Sequence, residues 1–323
     1  MNKNIKILLF LIFVLSGLSG LVYQSVWIRL AFGSFGCITP VMSVAISVFM
    51  LGIAIGSWFG GKYIDKLSDK LKISPIYFYI LTEIFIATGA LIVPNSFIIS
   101  QHILLDTGAT NSFTYLLLSA IVLTVCLLPW CIAMGTTFPF MMSFLKKIYK
   151  ENTTGFSFLY TANVIGGMLG VLATTIIWIE VYGFKGTLSI ACCGNIFAAL
   201  LAFIVYKLNR IENNIVNDIK TGQDNKVDSI PKQLLSEKFI FIISFITGFT
   251  TLSLEIVWTR AYSPVLGTMV YSFSFLLAGY LFATWLGSFL YRKDLERNRV
   301  KSPVTIVALT SLFVFLPIKQ RMI

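Results

Sequence analysis

The chain has 323 residues, of which 57% are hydrophobic and 12% charged, with a mean hydropathy of +0.84. That composition excludes a soluble globular domain, in which charged residues make up about a quarter of the chain. The formal charge of +11 raises the question of nucleic acid, but its distribution along the chain assigns it to membrane topology instead.

The apolar segments are long and continuous rather than alternating. They predict transmembrane helices and exclude a β-barrel, because inside lipid every backbone donor and acceptor must be satisfied within the segment or within a closed sheet. Nine spans are expected, at about 7–29, 38–60, 75–97, 113–140, 156–180, 186–206, 239–262, 268–291 and 303–318.

The first segment has the layout of a secretory signal: Lys3 and Lys6, an apolar core, then small residues from Ser16 to Gly20. Its sequence recurs, however, where no signal could act. GLSGLVYQSVWIR, from Gly17 to Arg29, is answered by GFTTLSLEIVWTR, from Gly248 to Arg260, 231 positions later. The offset continues without a gap, placing Gly36 on Gly267, Gly56 on Gly287 and Ser57 on Ser288. The first segment is therefore expected to stay as structure. Trp27, Arg29, Trp258 and Arg260 are read as anchors at the outer ends of their spans, with the tryptophans at the interface and the arginines reaching out to water.

After the second span comes GKYIDKLSDK, from Gly61 to Lys70, read as a cytoplasmic loop. It resembles the loop signature of the major facilitator superfamily: a glycine, three residues, an aspartate, then basic residues. Gly61 is expected to allow close helix approach. Asp65 is expected to cap the next helix or to pair with a base across the interface of the halves. Ser68 and Asp69 depart from the signature, which has a glycine and a base there. Glu296 and Arg297 fall opposite Asp65 and Lys66 in the repeat.

Glu83 lies about 12 Å into the third span at 1.5 Å per residue, and Glu255 lies deep in the seventh. Intramembrane carboxylates are costly and usually face the bundle interior. In the fourth span Pro129 and Pro139 interrupt the helix ladder, so the carbonyls they free need other donors. In the fifth, Tyr160, Asn163 and Gly167 share one helical face, and Gly166 with Gly170 forms a small-xxx-small pair for close packing. Glu180 ends that span and is read as a solvated terminus.

Residues 207–238 are polar and poor in aromatics, a solvated linker. Six spans before it put the two copies of the repeat in the same direction. The expected architecture is an all-α, polytopic transmembrane helical bundle, major-facilitator-like with a parallel six-helix repeat: residues 1–206 form the first half and 239–323 a truncated second half of three helices. With the N-terminus in the cytoplasm, 20 of the 25 Lys and Arg fall on the cytoplasmic side. The five cysteines fit no zinc spacing and His102 is the sole histidine, so no metal site and no cofactor are expected.

The motifs SGLSGLVYQSVWIRL, GIAIGSWFGGKYIDK, AMGTTFP and FLYTANVIGGMLG, taken in order, resemble the membrane region of the fused major-facilitator/spermidine-synthase family. The resemblance covers about residues 10 to 300. Gln24 departs from it, standing where the family tends to have the glutamate that this chain carries at Glu255. The resemblance implies a multi-pass protein of the bacterial inner membrane with a place in polyamine metabolism. The family's soluble aminopropyltransferase domain has no counterpart in these residues, and no glycine pair follows a strand as a nucleotide loop would. No catalytic residue is therefore carried over.

Two functions follow as expectations. One is a transporter-like protein for an organic cation such as putrescine or spermidine, with a cavity between the two halves lined by Glu83, Asn163 and Glu255, and with Gln24 and Tyr160 as further pathway residues. The other is a non-transporting anchor for a separately encoded aminopropyltransferase. The lipid bilayer is the expected environment, a homodimer is an expected assembly, and nucleic acid is not an expected partner. An enzyme in its own right finds no support, since no nucleophile–base pair or phosphate loop is visible.

Overall fold

The computed structural model describes residues 3–36, 39–106, 112–149, 153–217 and 237–296. The described chain is helical: α1 (Lys3–Phe35), α2 (Thr39–Leu71), α3 (Pro75–Asp106), α4 (Ser112–Tyr149), α5 (Thr153–Ala173) with a π-helical turn (Thr174–Trp178), α6 (Ile179–Asn217), α7 (Glu237–Leu266) and α8 (Met269–Glu296). Seven helical stretches among the described residues are long and apolar enough to cross a membrane. The expected ninth span, 303–318, lies outside the described residues.

Several boundaries differ from the expectation. The stretch 61–70 is not a loop: α2 runs through it to Leu71, and the turn falls at Lys72, whose φ is +55°. The start of the expected linker is helical, because α6 continues to Asn217, while 218–236 lie outside the described residues. The fifth and sixth spans are joined through the π turn, and the break comes at Gly183, with φ 66° and ψ −175°. That pairing of a positive φ with an extended ψ is open to glycine and essentially closed to residues with a Cβ.

Pair contacts give the directions. Phe10 meets Phe158 with ring centroids 5.5 Å apart, and Leu21 lies against Gly167 further along, so α1 and α5 run parallel. On α6, Leu188 and Ala191 share one core cluster with Val22–Phe35 of α1, while Ala198–Val205 share another with Ile5–Phe13. After Gly183, α6 therefore runs antiparallel to α1. The break converts one 53-residue apolar stretch into two legs.

Two seams of small residues hold the helices together. A Cβ on Gly166 or Gly170 would fall on the carbonyls of Val14 and Leu18, so α1 and α5 approach to backbone contact there. On α2, Gly52, Gly56 and Gly60 recur every fourth residue against Cys131, Gly135 and Pro139 of α4. Gly61, expected to make this approach, instead faces open space. Gly60 makes it: a methyl group there would lie 3.3 Å from Pro139. One step of the helix, about 100°, separates the two positions.

The far end of the α2–α4 seam is polar. Ser143 Oγ donates to Asp65 Oδ1 at 2.5 Å, and Lys147 Nζ donates to Asp69 Oδ1 at 2.7 Å and Ser68 Oγ at 2.8 Å. Among the described residues Asp65 thus neither caps α3 nor pairs with a base; it accepts from a serine on α4. Lys147–Asp69 is the one ion pair among the described residues. Contacts divide the chain within α8: residues up to Phe282 form one unit, and in the second Trp285 stacks on Phe289 at 6.1 Å.

Candidate functional site

All six helices α1–α6 contribute to one cavity of about 480 Å³. Its polar lining comes from Ser16 on α1, Ser57 on α2, Thr137 on α4, Tyr160 and Asn163 on α5 and Asn195 on α6. The glycines at 17, 20 and 135 leave room for it, and Phe49, Ile53, Ile86 and Phe138 supply the apolar remainder.

The hydroxyl protons of Ser16, Ser57 and Thr137 on this wall are already engaged. Pro139 has no N–H, so the carbonyl of Gly135, four residues earlier, loses its helix donor. Ser57 Oγ, from α2, donates to that carbonyl at 3.0 Å. Thr137 Oγ1 donates to Met134 O at 2.8 Å. Ser16 Oγ donates to Glu83 Oε1 at 2.7 Å. What these groups have left for the cavity is lone pairs. Asn195 is 2% exposed and its Oδ1 has no hydrogen-bond partner, which adds another acceptor. No lysine or arginine lines the space.

Glu83 is fully buried on α3 and reaches the cavity through Ser16; its Oε2 has no hydrogen-bond partner. Tyr79, one turn earlier on the same helix, is equally buried beside it and stacks on Phe13 at 6.2 Å. A buried carboxylate with one oxygen unsatisfied is costly unless a cation or proton completes it.

The remaining expected site residues are scattered. Tyr160 and Asn163 line the cavity, while Gly167 packs its backbone against the Leu21 side chain, which would stand 3.2 Å from a Cβ there. Glu255 lies on α7, off this cavity, with Oε1 buried and without a hydrogen-bond partner. Gln24 is 2% exposed, with Nε2 unpaired, and does not line the cavity either. The cavity that Tyr160 and Asn163 line lies inside the first six helices. Trp27 is relocated: it is 1% exposed, stacked on Tyr23 at 4.9 Å in the core rather than anchored at an interface. Trp258 is partly exposed against Tyr262 at 5.7 Å, and Arg260 is exposed. Arg29 is partly exposed, with its Nε and Nη2 buried.

Sequence reasoning missed Ser16, Ser57, Thr137 and Asn195. Asn195 was detectable, as an amide within the apolar run ACCGNIFAALL. The three hydroxyls were not, since Ser and Thr are common in membrane helices as local caps for carbonyls. No group of three or more potential metal ligands occurs among the described residues. No protein-family model, curated protein or solved structure matches this chain.

Proposed function

We propose that the chain is a transporter-like multi-pass membrane protein whose first six helices bind a small organic cation. The observation that carries this reading is Glu83: a buried carboxylate joined by Ser16 to a cavity where the hydroxyls of Ser16, Ser57 and Thr137 have their protons engaged elsewhere. Such a wall favours a ligand that brings hydrogen-bond donors and positive charge. The family resemblance makes putrescine and spermidine the first solutes to try and implies a bacterial inner membrane, and the distribution of Lys and Arg supports a cytoplasmic N-terminus.

Uptake of labelled putrescine and spermidine into proteoliposomes tests this. Saturable uptake by the native chain is expected, with Glu83→Gln lowering it about tenfold or more, the cost of a charge-assisted bond. Absence of uptake together with absence of binding removes the reading.

A second reading, a membrane anchor for a separately encoded aminopropyltransferase, is favoured by the backbone-to-backbone seams at Gly56 and Gly166, which leave little room for sliding. Co-purification of that enzyme with the chain, without uptake, would establish it.

A further inference from the structure

A second cavity, of about 340 Å³, lies at the end of α1, lined by Arg29, Phe32, Phe184 and the segment from Thr268 to Tyr271. Arg29 carries a permanent charge and is partly exposed, yet its Nε and Nη2 are buried without an acceptor, and it makes no ion pair among the described residues. Its guanidinium carbon sits 5.5 Å from the centre of the Tyr271 ring. The hydroxyl of Tyr271 donates to Glu180 Oε1 at 3.3 Å, which occupies that carboxylate oxygen with the tyrosine.

The opposite wall is the start of α8. Thr268 caps it: Oγ1 accepts the Tyr271 N–H at 3.2 Å, and the Thr268 carbonyl accepts the Ser272 N–H at 3.2 Å. The first N–H groups of a helix have no acceptor within it, so those of Met269 and Val270 are left at the cavity wall, at the positive end of a 28-residue helix. Gly267, with φ +80°, turns the chain so that α8 begins there.

We propose that this cavity binds a phosphate group, held between the Arg29 guanidinium and the first turn of α8. A guanidinium fork and helix N–H groups are the two protein elements best matched to a tetrahedral oxyanion. The location favours the phosphate of a lipid headgroup. Three chain breaks meet at this end of the helices: α1 stops at Phe35, α6 breaks at Gly183 beside Phe184, and α7 gives way to α8 at Gly267. Apolar helices that turn together do so at the level of the headgroups. Phe32 and Phe184, which line the cavity, then flank the acyl-chain side.

The test uses the purified full chain in an uncharged maltoside detergent, with thermal unfolding followed during titration of phosphatidylglycerol, inorganic phosphate or diacylglycerol. Phosphatidylglycerol is expected to raise Tm by about 5 °C at saturation. Arg29→Gln is expected to raise the half-saturating concentration about tenfold or more, and Arg260→Gln, at the exposed repeat position, to leave it unchanged. Thr268→Asp is a second variant that tolerates failure of the first: at this exposed position an aspartate keeps the cap of α8 while its carboxylate repels an incoming phosphate, so stabilisation by phosphate is lost in a folded protein. A response to inorganic phosphate as well supports an open phosphate site, and a response to phosphatidylglycerol without one supports a headgroup site. An equal response to diacylglycerol, or a response undiminished in both Arg29→Gln and Thr268→Asp, overturns the proposal.

Discussion

Helices α1 and α7 carry one sequence pattern and lead two different lives. Both end one residue before a glycine of positive φ: α1 at Phe35 before Gly36 (+102°), and α7 at Leu266 before Gly267 (+80°). The apolar window of α1 is 39% buried and that of α7 is 0% buried. Trp27 is enclosed, and Trp258 is partly exposed. Gly17 abuts the carbonyl of Asn163 on α5, and Gly248, its repeat partner, has nothing within 4 Å. The shared residues therefore determine where a helix ends, because that is a local backbone matter. They do not determine burial, because that depends on which neighbours arrive. An apolar helix without protein neighbours is not penalised in lipid, where acyl chains replace them.

The paired positions let this contrast be broken one property at a time. Trp27→Ala is expected to destabilise the protein by about 3–5 kcal/mol, and Trp258→Ala by less than half of that, since only the first opens a core cavity. Thermal melts in detergent check it, and equal losses would remove the distinction between the two helices. Gly17→Val should cost about 3 kcal/mol, because its Cβ has no room beside α5. Gly248→Val should stay within about 0.5 kcal/mol. Yield of monodisperse protein on size exclusion reports both.

Ser57→Ala tests the α2–α4 seam. It removes the donor to the Gly135 carbonyl that Pro139 leaves open, at a cost of about 1–3 kcal/mol. Pro139→Ala in the same chain should recover part of the loss by restoring the helix donor, which a double-mutant cycle would measure. The smallest effect tests what the two helices share. Gly36→Ala and Gly267→Ala should each cost about 1 kcal/mol in the same thermal melts, similarly at both sites, since a Cβ at either meets no neighbour and only the left-handed backbone is strained.

Much of the membrane character was legible in the composition and in the length of the apolar runs. The repeat was legible as a fixed offset that pairs Gly36 with Gly267, but the spans were expected to end near 29 and 262, and the helices run on to Phe35 and Leu266, just before those glycines. Gly166 and Gly170, read as a packing pair by their spacing, lie against the α1 backbone. The equivalent stripe at Gly52, Gly56 and Gly60 has the same four-residue spacing, yet the loop signature pointed to Gly61, which stands off that stripe by one residue. The candidate site was less legible. Its carboxylate and two of its lining residues, Tyr160 and Asn163, stand out by type within apolar runs, but the hydroxyl groups that link or complete them do not.

Hydropathy along the chain and glycine at chain reversals were decided by the amino acids alone, since transfer into lipid and backbone sterics act residue by residue. Tertiary packing alone decided that Ser16 meets Glu83, that Ser57 closes the gap left by Pro139, and that Trp27 is interior while Trp258 is not. The two hydrogen bonds join residues 67 and 78 positions apart. Their energies arise only when helices touch, because a hydrogen bond or a filled cavity needs both partners in place.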